Sequence, residues 1–131
     1  MPRVTGLDHV GLLATDMDRT LAFYRALGLE VLRVSAPDSD GVRSAVIKVG
    51  GQELNVFSAP HNVAADRDQS VGVHHFCLNV AAGTIEQLLA ELERAGLNPF
   101  RGPVERKSGT SLFLHDPDGI KVELRIPKTP R

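Results

Sequence analysis

The chain has 131 residues, is 42% hydrophobic and carries a net charge of −1. That length suits one domain, or two small halves sharing one architecture. The balanced charge lacks the basic stripe of a nucleic-acid binder, no apolar run of about 18 residues offers a membrane span, and the single cysteine, Cys77, together with the lack of an apolar leader in MPRVTGLDHV, points to a reducing cytoplasm.

LDHVGLLAT (7–15) reads as a strand. DMDRTLAFYRAL (16–27) reads as a helix, with Leu21, Tyr24 and Leu27 at helical spacing, Asp16 as N-cap and Gly28 as the stop. Strands follow at LEVLRVSA (29–36), VRSAVIKV (42–49) and QELNVF (52–57), the last two joined by the hairpin signal Gly50-Gly51. Residues 58–72 read as a polar loop. VHHFCLNV (73–80) is the next strand, and TIEQLLAELERA (84–95) an amphipathic helix capped by Thr84 and stopped by Gly96. A weak strand begins in NPFRG, TSLFLHD (110–116) is a further strand, PDG a turn and IKVELRI (120–126) the last strand. The Pro-rich tail RIPKTPR is expected to fray.

The order β-α-β-β-β occurs twice, which points to an internal repeat. ALGLE at 26–30 matches RAGLN at 94–98 with an offset of 68. The same offset sets Asn55 on Glu123 and Glu53 on Lys121. At the front of each half, DHVGLLA aligns with HHFCLNV, His9 on His75, with an offset of 66, so the second half carries two extra residues before the end of its helix. Strand parity then sorts two faces. Val10, Leu12, Ala14, Leu54, Val56, Phe76, Leu78, Val80, Val122 and Leu124 form an apolar face under the helices. His9, Gly11, Glu53, Asn55, His75, Cys77, Asn79, Lys121, Glu123 and Arg125 share the other. Histidines and a carboxylate gathered on one face suggest a curved sheet around a polar cavity. Imidazole nitrogen and carboxylate oxygen are the usual donors for Zn, Fe, Mn, Ni or Co.

These segments, from GLDHVGLLATDMDRTLAFYRALGLEVL to SLFLHDPDGIKVEL, resemble the vicinal oxygen chelate superfamily, which groups glyoxalase I, fosfomycin-resistance transferases, extradiol dioxygenases, methylmalonyl-CoA epimerase and bleomycin-resistance proteins. The resemblance implies an α+β fold: two paired βαβββ modules (about 5–58 and 73–127) forming a curved mixed sheet around a metal-binding cavity, with the helices outside. It implies one divalent metal per site, held by His9, His75 and Glu123, with Asn55 at the fourth corner. Glu53 stands one strand pitch from Asn55, about 6–7 Å, too far to share that corner, and is the spare carboxylate for catalysis.

Other residues carry plainer expectations. His74 points to the helix side by parity, His61 is solvated in the loop, and His115 caps the DPDG turn. Cys77 is a buried filler. Lys121, Arg125 and Ser111 are candidates for substrate binding. Leu13 occupies the position where glyoxalase I carries an arginine for glutathione. Three protein ligands with open metal positions lean the reading toward a ring-cleavage-type dioxygenase relative. A glyoxalase-I-like lyase, a fosfomycin-type thiol transferase and a non-catalytic binding protein are the alternatives. The expected partners are a small-molecule substrate and a second copy of the chain in a homodimer, with neither nucleic acid nor membrane.

Overall fold

The computed structural model of the chain describes residues 2–58, 72–81 and 83–128. The polar loop including His61, and the last residues of the tail, lie outside the described residues. The chain divides into two compact units, Met1–Val63 and Ala64–Arg131. No helix of the described residues is long and apolar enough to cross a membrane.

The first unit contains β1 (His9–Ala14), α1 (Met17–Ala26), β2 (Glu30–Val34), β3 (Ser44–Val49) and β4 (Gln52–Ser58). Asp16 caps α1, its carboxylate accepting from the Arg19 amide at 3.1 Å. After Leu27 the chain turns at Gly28, whose φ of +90° suits a residue without Cβ. The sheet order is β1-β4-β3-β2, with β1 parallel to β4 and the other pairs antiparallel. The parallel pair follows from the helix: a crossover returns the chain in the starting direction. Leu12, Ala14, Ala45, Ile47, Leu54 and Val56 are buried, as are Met17, Leu21, Phe23 and Tyr24 of α1. The apolar parity set and the helical stripe thus form one core.

The second unit repeats the plan with β5 (His75–Asn79), α2 (Ile85–Arg94), β6 (Arg101–Arg106), β7 (Gly109–His115) and β8 (Lys121–Pro127), in the order β5-β8-β7-β6. Thr84 and Gln87 form a reciprocal capping box at α2. Leu88 and Leu92 of α2 are buried, as are Leu112, Leu114, Val122 and Leu124 of the sheet. β6 is an edge strand, which is where Pro103 is tolerated within it. The fold is therefore α+β, with two four-stranded mixed sheets and one helix each among the described residues.

The registers reproduce the repeat read from the sequence. His9 stands opposite Glu53 and Gly11 opposite Asn55; His75 stands opposite Lys121 and Cys77 opposite Glu123. Asn55 and Glu123 are thus equivalent, and so are Glu53 and Lys121. The two additional residues of the second half fall between the first strand and the helix.

Candidate metal centre

In the second unit, His75 and Glu123 lie on one face of the parallel pair β5–β8 and meet diagonally. His75 Nε2 is 3.0 Å from Glu123 Oε1. Glu123 is only 2% exposed, so its charge needs partners. The Ser111 hydroxyl donates to Oε2 at 2.6 Å, and Arg125, two residues along the same strand face, donates from a terminal guanidinium nitrogen to Oε2 at 3.1 Å. Burial pushes the carboxyl pKa up. The hydrogen bonds from Ser111 and Arg125, with the charge of Arg125 and that of His75 when it is protonated, outweigh it, and the net shift is downward from 4.5. The carboxylate is therefore ionised at neutral pH, with Oε2 occupied by two donors and Oε1 turned to His75.

This pair suits a divalent metal. Two adjacent corners of an octahedron with donor bonds near 2.1 Å lie about 3.0 Å apart, which is the separation between Nε2 and Oε1. Among the described residues, no three of His, Cys, Asp and Glu gather into a group that could hold a metal. His75 and Glu123 supply two donors, and a third protein donor would come from outside the pair.

In the first unit the repeat-equivalent positions are His9 and Asn55. His9 is about half exposed, at 47%, and its Nδ1 lies 2.9 Å from Asp8 Oδ2. Asn55 Oδ1 is buried and has no hydrogen-bond partner among the described residues. An unpaired buried amide oxygen is costly, so this atom is suited to a ligand. Glu53, directly opposite His9, is half-buried.

Two neighbours of the histidines escaped the sequence reading. Asp8 holds His9 Nδ1, and His74 Nδ1 lies 2.9 Å from His75 Nδ1. In both units the residue before the histidine engages Nδ1, so Nε2 is the nitrogen that this neighbour does not hold. The signal was present in the dipeptides Asp8-His9 and His74-His75. His74 was assigned to the helix side by extending strand parity to it. It precedes β5, is exposed, and lies with its Nε2 3.2 Å from Lys121 Nζ.

Two further expectations are corrected. Cys77 is exposed and is not a buried filler. The DPDG turn is held by Asp116, whose carboxylate accepts from the amides of Asp118 and Ile120, each at 2.9 Å. His115 instead ends β7 and stacks on Phe100 with centroids 3.9 Å apart and planes 6° from parallel. Of the residues considered for substrate binding, Ser111 is fully buried and engaged with Glu123, Arg125 is half-buried beside it, and Lys121 is half-buried opposite His75.

With this geometry in view, the chain can be placed among known proteins. Residues 6–124 match the family model of the Glyoxalase/Bleomycin resistance protein/Dioxygenase superfamily, and the chain belongs to that superfamily. It is 31% identical to a probable lactoylglutathione lyase of Synechocystis over 121 residues, covering 88% of this chain and 91% of that protein. It is 32% identical to a probable chloroplastic lactoylglutathione lyase of Arabidopsis thaliana, covering 88% of this chain but only 34% of that protein, so the chain spans about a third of that relative's length. A glyoxalase family protein from Enterococcus faecalis superposes with a TM-score of 0.76 at 27% identity, covering 92% of this chain and 96% of the other.

Proposed function

We propose that the protein is a divalent-metal enzyme in which His75 and Glu123 supply two protein ligands and His9 the third, with Asn55 as a neutral fourth corner. His9 joins the pair only when two copies of the chain associate, since the three do not gather within the described residues of one chain. The observation that carries this reading is the buried, ionised Glu123 with Oε1 3.0 Å from His75 Nε2. A bound divalent cation there supplies Lewis-acid polarisation of neighbouring oxygens on a small substrate. Ser111 and Arg125 fix the carboxylate so that Oε1 is presented in one direction. Lys121 and Arg125, on the same face as Glu123, receive an anionic group of the substrate. Glu53, the carboxylate next to His9, accepts a proton from a carbon acidified by that polarisation.

Proton transfer of this kind makes a glyoxalase-like lyase or isomerase the preferred reaction class, a reading supported by the relatives named as lyases. Leu13, exposed on the face of His9, provides no cation for a glutathione carboxylate, so a smaller anionic substrate is expected. The dioxygenase reading has one observation in its favour: an uncharged Asn55 leaves the metal with weakly held positions, which suits dioxygen and a catecholate. Turnover assays with the protein loaded separately with Mn(II), Ni(II), Zn(II) and Fe(II) distinguish the two. Isomerisation of a small 2-oxoaldehyde adduct with Mn, Ni or Zn supports the first. Catechol cleavage restricted to the iron form replaces it with the second.

A further inference from the structure

We infer that His74 is a positioning residue that sets the tautomer of His75 and makes metal binding at His75 incompatible with the contact between His74 and Lys121. Three contacts in series carry this. Lys121 Nζ lies 3.2 Å from His74 Nε2, His74 Nδ1 lies 2.9 Å from His75 Nδ1, and His75 Nε2 lies 3.0 Å from Glu123 Oε1. An ammonium only donates, an ionised carboxylate only accepts, and a neutral imidazole does one at each nitrogen. A single assignment satisfies all three contacts. Lys121 donates to His74 Nε2, His74 Nδ1–H donates to His75 Nδ1, and His75 Nε2–H donates to Glu123.

A metal ligand needs the Nε2 lone pair of His75. Its hydrogen must then reside on Nδ1 and be donated to His74 Nδ1. His74 in turn carries its hydrogen on Nε2 and no longer accepts from Lys121. The proton count is unchanged. One proton shifts between the two Nδ1 atoms, and one is transferred through solvent from His75 Nε2 to His74 Nε2. Metal loading thereby turns the Lys121 ammonium away from His74, on the face where an anionic substrate group would bind. The first module lacks this switch. At the equivalent position it has Asp8, which when ionised can only accept, so His9 stays in the Nδ1–H form that leaves Nε2 to coordinate.

The metal part of this inference rests on the proposed function; the tautomer part does not. Nitrogen-15 NMR of metal-free protein is expected to find His75 as the Nε2–H tautomer, and His74→Asp, which copies the first module, is expected to turn it to Nδ1–H. An Nδ1–H form in the unsubstituted protein, or no change in His74→Asp, overturns the relay. In Mn(II) titrations by calorimetry, His74→Asp is expected to bind more tightly than the unsubstituted protein. His74→Gln, which keeps an atom near Nε2 but none near Nδ1, is expected to bind about 10–100-fold more weakly. Equal affinities for the two variants overturn the positioning role. Lys121→Met is expected to tighten Mn(II) binding in the unsubstituted background and to have a smaller effect beside His74→Asp. An equal effect in both backgrounds is plain charge repulsion and overturns the coupling. A protein that takes up no metal at all defeats the proposed function, while the His75 tautomer still decides the relay.

Discussion

Glu123 meets His75 across a diagonal of the β5–β8 ladder, its Oε1 3.0 Å from the imidazole Nε2, although its register partner is Cys77. Direct opposition would place Lys121 against the imidazole instead. The diagonal works because the carboxylate is held from behind by Ser111 and Arg125, leaving one oxygen to face the histidine.

Ser111→Ala removes the shorter of the two donors to a buried carboxylate. The expected cost is about 1–3 kcal/mol of unfolding free energy, read by urea denaturation at neutral pH. The same variant should weaken metal binding, since Glu123 would then be held by Arg125 alone. Unchanged stability would show that the hydroxyl contributes no more than water does.

The lowered pKa of Glu123 gives stability a defined pH dependence. Burial acts upward, but the Ser111 and Arg125 hydrogen bonds, with the Arg125 charge and that of His75 when it is protonated, prevail, so the folded value lies below 4.5. A depressed folded pKa contributes stability that is fully present above the unfolded value and is lost as pH falls through the folded one. Denaturation midpoints should therefore decline on acidification below about 4.5, and Glu123→Gln should flatten that part of the decline. An identical acid profile in the variant would assign the loss to other carboxylates.

Asn55→Ala should leave most of the metal bound, because water replaces a neutral amide donor. Glu53→Ala should also retain metal but lower kcat, since it removes the proposed proton acceptor. Asn55→Glu should tighten metal and reduce turnover by closing a position that substrate needs. Metal content and turnover of the three variants check this together. Loss of metal in Glu53→Ala alone would move the fourth corner from Asn55 to Glu53.

Much of this was legible in the sequence because the two relevant periodicities are strong. Alternation in the strands and the pairing of His9 with His75 located both faces, and the registers of β1–β4 and β5–β8 kept the equivalence of Asn55 with Glu123. What escaped was set by short-range geometry. Parity holds only within a strand, so it misplaced His74, which lies one residue before β5. Burial of Cys77 was inferred from residue type, whereas its strand is at the edge of its sheet and leaves it exposed. The Phe100–His115 stack joins residues far apart along the chain and had no local signature.

A homodimer is expected in solution. β1 and β5 are edge strands of their sheets, and the register neighbours Leu13 and Phe57 leave two large apolar side chains exposed on the face of His9. Such edges and apolar surface favour a covering partner. Light scattering at micromolar concentration should give twice the chain mass of 14.2 kDa. A monomer would require another cover for this face.

The most direct measurement is the metal content of purified protein after incubation with Mn(II) and removal of excess, for the unsubstituted chain and for His9→Ala, His75→Ala and Glu123→Gln. The account predicts about one metal per chain in the unsubstituted protein and loss of it in all three variants, each having given up one of three strong donors. Retention of metal by His9→Ala, His75→Ala or Glu123→Gln would contradict it.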